Sequence, residues 1–140
     1  MMRAAMDAVK SVSPSTQLIA VTMLTSLSDE DLPSVGLTPP VGDQVLRLAA
    51  LTQQCGLDGV VCSAHEIARL RKELGPDFLL VVPGIRPAGA DVGDQKRVMG
   101  PAEAVAAGAS KLVIGRPITG AQDPAKAAKA IAERLGISGA

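Results

Sequence analysis

The sequence predicts an α/β fold: strand–helix units repeated along a parallel sheet. Three observations predict it. Short apolar runs alternate four times with segments of helical period. Those runs are apolar throughout, as strands covered on both faces are, rather than alternating apolar with polar. The chain of 140 residues is 47% hydrophobic and 20% charged, with 14 Gly and Phe78 as its single aromatic residue. Such a composition excludes a disordered chain and favours close packing of helices on a sheet.

The elements follow in order. Residues Met1 to Val12 read as a helix. Leu18 to Leu24 (LIAVTML) reads as a buried strand. Asp43 to Cys55 reads as a helix, with Val45, Leu48, Leu51 and Cys55 near one face and Gly56 as its stop. Gly59 to Cys62 is a short second strand. Ser63 then caps a helix, and Glu66 three residues on suggests a capping box. That helix turns Ile67, Leu70 and Leu74 inward and stops at Gly75. Phe78 to Val82 is a third strand. Gly100-Pro101 opens an Ala-rich helix, with Pro where its missing N–H costs nothing. Lys111 to Gly115 is a fourth strand. Asp123-Pro124 opens the last helix, with Ala128, Ile131 and Leu135 inward and Gly136 at its end.

Four strands and about five helices fit two architectures: an open doubly wound sheet, or part of a (β/α)₈ barrel. Four units in 140 residues are about half of the ~250 residues of a complete barrel. The chain also opens on a helix with no strand before it. A single domain, 1–140, is expected.

Composition excludes several functions. With 14 Lys+Arg against 14 Asp+Glu the formal charge is zero, and no basic cluster suits nucleic acid. Arg69, Arg71 and Lys72 read as a solvated helix face. No apolar run approaches a membrane span, and the first residues lack the apolar core of a signal peptide. Cys55 and Cys62 fit no metal spacing and read as two reduced, buried thiols of a cytoplasmic protein. His65 has no second His beside it and reads as a surface residue.

In parallel α/β folds the site lies at the carboxyl ends of the strands. Thr25 and Ser26 follow the first strand. Ser63, taken up by its helix cap, follows the second. An 18-residue loop, Pro83 to Gly100, follows the third, and a loop of that length usually binds or closes over something. It holds Gly84, Gly89 and Gly93 together with Arg86, Asp91, Asp94, Gln95, Lys96 and Arg97. Gly115-Arg116 follows the fourth strand, and an arginine fork suits phosphate. Each residue also has a plainer reading. Gln95 can bond loop backbone, Arg116 can pair with a surface carboxylate, and Thr25 and Ser26 can be turn or cap residues. Spacing alone thus describes the phosphate-binding half of a parallel α/β protein and names no reaction.

The runs LIAVTMLTS, GLDGVVCSA, VVPGIRPAGADVGDQKR and LVIGRPIT, in this order and spacing, closely resemble bacterial orotidine 5′-phosphate decarboxylase over essentially the whole chain. Related barrels acting on keto-sugar phosphates do not share the GIRP…GDQ lid. The resemblance implies the last four βα units of the family's barrel, units five to eight, preceded by one helix. It implies the conversion of orotidine 5′-phosphate to UMP and CO₂, in a cytoplasmic homodimer or higher oligomer that needs neither metal nor organic cofactor. Thr25, with Ser26 beside it, is implied near the pyrimidine, and Pro83 on the lid near the base. Arg86 matches the Arg of GIRP. Gln95 spans nucleotide and phosphate on the closing lid, and Gly115 and Arg116 bind the phosphate. One departure stands against these matches. The family's chemistry is carried by alternating Asp and Lys in a DxKxxDI motif, and the 140 residues contain none. Lys10, Lys96, Lys111, Lys126 and Lys129 lie in other contexts. The chain is therefore expected to be inactive alone. The alternative is a non-catalytic half-barrel module that binds nucleotide or phosphate, or pairs with a separate N-terminal half.

Overall fold

The computed structural model describes residues 1–87, 93 and 97–137. Six α-helices lie among them: α1 (Met2–Val12), α2 (Val41–Gln54), α3 (Ile67–Leu74), α4 (Pro101–Ala107), α5 (Arg116–Thr119) and α6 (Pro124–Arg134). The strands are β1 (Ile19–Val21), β2 (Gly59–Val61), β3 (Leu79–Val82) and β4 (Lys111–Leu112). All three pairings are parallel and the order is β1-β2-β3-β4. A doubly wound sheet reverses its strand order at a switch point. This sheet adds each strand beside the one before it, as a barrel does.

Register sorts the strand residues onto two faces. Ala20, Val60 and Leu80 lie abreast, as do Val82 and Leu112. Val60, Leu80 and Val82 are fully buried and form one core with Val45 and Ala49 of α2, Ile67 and Leu70 of α3, and Ala104 of α4. The opposite face carries Ile19, Gly59 and Leu79 in one row and Val21, Val61, Val81 and Lys111 in the next. None of these belongs to the core, and Val21 is 59% exposed. The sheet is thus covered by helices on one face, and on the other its mostly apolar residues lie outside the core, from half-buried Ile19, Val61, Leu79 and Val81 to exposed Val21.

Local chemistry explains the helix ends. Asp123 accepts the Lys126 amide at 2.9 Å, and Pro124 stands at the first position of α6. The N-terminus of α2 is served from a distance: Asp29 Oδ1 accepts the Val41 amide at 2.7 Å. Gly108 ends α4 at φ +109°, a conformation that side-chain-bearing residues avoid.

Several expectations need correction. The strands are shorter than their apolar runs: β1 ends at Val21 rather than Leu24, and β4 at Leu112 rather than Gly115. The ladder runs on by single bonds, since the Thr22 amide and hydroxyl both donate to Val61 O, at 3.2 and 2.7 Å. A sixth helix, the single turn of α5, follows Gly115 where only a loop is predicted. In α2 the buried stripe is Val45, Ala49 and Thr52, while Leu51 is exposed, because 3.6-residue periodicity carries Leu51 past the edge of the contact face. The capping box does not form. Ser63 Oγ accepts the amide of His65 at 3.3 Å rather than that of Glu66, and the Glu66 carboxylate is paired with an arginine. Arg71 is no solvated residue: its guanidinium donates to the carbonyls of Gly108 (2.8 Å), Gly75 (3.2 Å), Pro76 (3.1 Å) and Phe78, and to Ser110 Oγ (2.8 Å). It staples α3 to the segments entering β3 and β4. Both thiols are free, but only Cys62 is fully buried.

Candidate ligand site

The loops that follow the four strands gather at one end of a parallel sheet, where no strand residue can fill the space above the last ladder bond. After β1 the chain turns at Leu24, whose carbonyl accepts the Leu27 amide at 3.0 Å. Asp31 then holds the loop by accepting both the amide and the hydroxyl of Ser28, each at 2.7 Å. This turn leaves Thr25 buried and Ser26 half-buried. Both line a cavity of about 150 Å³ with Val21, Met23, Leu24, Val61, Cys62 and Pro83. Three of the seven expected ligand-contacting residues, Thr25, Ser26 and Pro83, thus meet at one cavity over β1, β2 and β3.

The long loop after β3 is pinched at its base. Ile85 and Met99 form a parallel bridge, and the Arg86 amide donates to Met99 O at 3.0 Å. Arg86 is buried at this neck, and its Nη1 donates to Ile85 O at 2.9 Å. Gly93, at φ +60°, lies against the guanidinium of Arg116: a β-carbon there would fall 2.5 Å from Arg116 Nη1. The loop after β3 and the turn after β4 therefore meet at Gly93 and Arg116. Gly115 precedes α5, and its carbonyl accepts the amides of Ile118 (2.8 Å) and Thr119 (3.0 Å). Gln95, with Gly89, Asp91, Asp94 and Lys96, lies outside the described residues.

Sequence reasoning missed one polar pair at this end of the sheet. Glu66 and Arg97, both buried, form an ion pair through Glu66 Oε1 and Arg97 Nη1. Burial raises the Glu66 carboxyl above its ordinary range, and the Arg97 guanidinium opposes that rise. Burial, seconded by the nearby Glu66 charge, pushes the Cys62 thiol up to about 12. No sequence signal pairs residues 31 positions apart; the one hint is an Arg at the root of a long loop. Among the described residues no three His, Cys, Asp or Glu side chains gather as a metal ion would require.

A parallel βα array with a polar-edged cavity and an arginine at its carboxyl end has the architecture of barrel-type α/β proteins, whose sites lie on the strand-end loops. Comparison with known proteins makes this specific. Residues 1–131 match the model of the orotidine 5′-phosphate decarboxylase / HUMPS family, and the chain belongs to that family. It is 62% identical over 122 residues to an orotidine 5′-phosphate decarboxylase of Shewanella sediminis, covering 87% of this chain and 52% of that protein. The corresponding protein of Hydrogenovibrio crunogenus is 61% identical over 124 residues, with 89% and 52% covered. The crystal structure of orotidine 5′-phosphate decarboxylase from Lactobacillus acidophilus superimposes with a TM-score of 0.79 at 39% identity, covering 96% of this chain and 58% of that one. The chain spans about half the length of the curated relatives it matches. Among the described residues no helix is long and apolar enough to cross a membrane.

Proposed function

We propose that these 140 residues form the nucleotide-gripping half of an orotidine 5′-phosphate decarboxylase. The observation that carries this reading is the cavity shared by Thr25, Ser26 and Pro83, beside loops that bring Arg116 against the long β3 loop. In the proposed reaction the bond between C6 and the carboxylate breaks, its electron pair stays on C6, a proton adds there, and UMP and CO₂ leave. Thr25 and Ser26 face the pyrimidine, with Pro83 on the lid near the base. Arg86 sets the lid's neck. Gln95 joins base to phosphate, and Gly115 and Arg116 take the phosphate through an amide and a charge-assisted fork. Binding energy from the remote phosphate then favours closure of the loop and serves the transition state. The proton donor of the family's Asp/Lys array is not among these residues.

The domain, 1–140, corresponds to units five to eight of an eight-unit barrel. Its second sheet face, outside the core, and the edges β1 and β4, unpaired among the described residues, support completion by four further βα units, and the working assembly is a dimer. Two unbridged thiols and a neutral formal charge support a cytoplasmic protein that binds neither nucleic acid nor membrane.

Calorimetric titration with UMP and an assay of UMP formation from orotidine 5′-phosphate test this together. The 140-residue chain is expected to bind UMP without turning over substrate. Absence of UMP binding would remove the nucleotide site. Turnover well above the uncatalysed background would remove the account of the absent proton donor.

A further inference from the structure

Arg97 joins all three of the first strand-end loops. Its Nη1 donates to Glu66 in the loop after β2, and its Nη2 donates to Leu24 O, after β1, at 3.1 Å. Its own carbonyl lies 3.4 Å from Ser63 Oγ as donor. The next two residues continue the seam: Val98 O lies 3.2 Å from His65 Nε2, and Met99 O accepts the Arg86 amide. Glu66 and Arg97 are each 6% exposed, yet Glu66 Oε2 and Arg97 Nε have no hydrogen-bond partner among the described residues. A buried ion pair with unmet polar atoms is a poor stabilising device, and apolar residues of like volume commonly replace such pairs without loss. Geometry supplies another role. Because the peptide unit is planar, fixing the Leu24 carbonyl fixes the direction of the Thr25 N–H. Leu24, Thr25 and Ser26 all line the cavity, and Arg97 closes the root of the β3 loop.

We propose that Arg97, aimed by Glu66, is a positioning residue that locks the Leu24–Ser26 turn to the root of the β3 loop and so presets the cavity for a pyrimidine nucleotide. The nucleotide in this statement rests on the function proposed above; the lock itself does not.

The test compares the wild-type 140-residue chain with Arg97→Lys and the double variant Glu66→Met/Arg97→Met. Three quantities are read: melting temperature, UMP affinity by calorimetry, and amide hydrogen exchange at Thr25, Ser26 and Leu27. The double variant is expected to melt near wild type while UMP binding weakens ten- to hundredfold and exchange at the three amides quickens at least tenfold. Wild-type stability together with wild-type exchange and affinity would overturn the proposal, because the pair would then be mere packing. Should the double variant unfold, Arg97→Lys decides. A single ammonium cannot hold Glu66 and Leu24 O in the planar fork, so exchange is expected to quicken at Thr25–Leu27 in a folded protein, and unchanged exchange overturns the lock. If wild type fails to bind UMP, the nucleotide reading falls, and exchange at the three amides still decides the lock.

Discussion

Replacing Val21 by glutamate is expected to dissolve self-association of this chain while leaving its fold intact. The total accessible surface is 8057 Å². A compact monomer of 14.2 kDa has about 6,800 Å² by the usual scaling with mass. The excess, about 1,300 Å² per chain, exceeds the ~800 Å² that each partner contributes to a standard protein interface. The sheet contributes edges β1 and β4 to this surface, unpaired among the described residues, and such edges recruit other strands. Val21 is on the sheet face outside the core, on edge strand β1, and 59% exposed. Burying a whole Val contributes roughly 1.5–3 kcal/mol, so its exposed part contributes about 1.5 kcal/mol. A two-fold interface counts it twice, and desolvating a carboxylate adds to the loss. Val21→Glu should therefore weaken association by at least about 3 kcal/mol, more than a hundredfold in dissociation constant. Lys72→Glu, exposed on α3, should change nothing. Light scattering coupled to size exclusion at tens of micromolar reads the outcome. A wild-type chain that elutes as a monodisperse 14.2 kDa species refutes the reasoning, as does a Val21→Glu variant that associates like wild type.

Arg71→Met should lower stability by about 3 kcal/mol in chemical denaturation, since it strands several partly buried carbonyls at once; a loss below about 1 kcal/mol would show that water replaces the staple. Arg116→Ala should weaken UMP binding about ten- to a hundredfold, in line with the ~1.5–3 kcal/mol of a hydrogen bond to a charged group, and Gln95→Ala should cost less. Equal affinity of Arg116→Ala and wild type in calorimetry would remove the phosphate assignment. With its pKa raised from 9.0 to about 12, Cys62 favours the neutral thiol in the folded state. Its contribution to stability is complete below pH 9 and is lost as pH rises toward 12. A thiol reagent at pH 8 should modify the half-buried Cys55 first, read by mass spectrometry of the two peptides, and early modification of Cys62 would contradict this burial.

The order of strands and helices was legible because it rests on features within a few residues: apolar runs, Ser63 and Asp123 before helices, Gly at their ends. The lengths of the runs misled. Met23 and Leu24 are as apolar as strand residues, but β1 ends before them because the chain must turn to bring Thr25 over the sheet. Arg71 looked solvated because charge and helical spacing alone do not reveal the carbonyls that converge on it, three from the segment just after its helix and one, that of Gly108, from 37 residues away. Thr25, Ser26 and Pro83 line one cavity because Pro83 directly follows β3 and the turn at Leu24 carries Thr25 and Ser26 back over the end of β1. Glu66 and Arg97 were illegible as a pair for the same reason that Arg71 was: their meeting is a property of the sheet, not of either neighbourhood.

The strictly sequential strand order also has a kinetic consequence. Gly59 pairs with Leu79, 20 residues on, whereas Ile19 must reach Gly59 across 40. Doubling the span adds about 0.6 kcal/mol of closure entropy, so the β2–α3–β3 segment closes most cheaply. It also holds Val60, Ile67, Leu70 and Leu80, all but fully buried. This segment is expected to form the folding nucleus, with β1 and β4 zipping onto it from either side. Truncations such as Val60→Ala and Leu80→Ala should then slow folding, with φ above about 0.5, while Ile131→Val in α6 should mainly speed unfolding. Uniformly low φ-values in the central segment would rule out that nucleus.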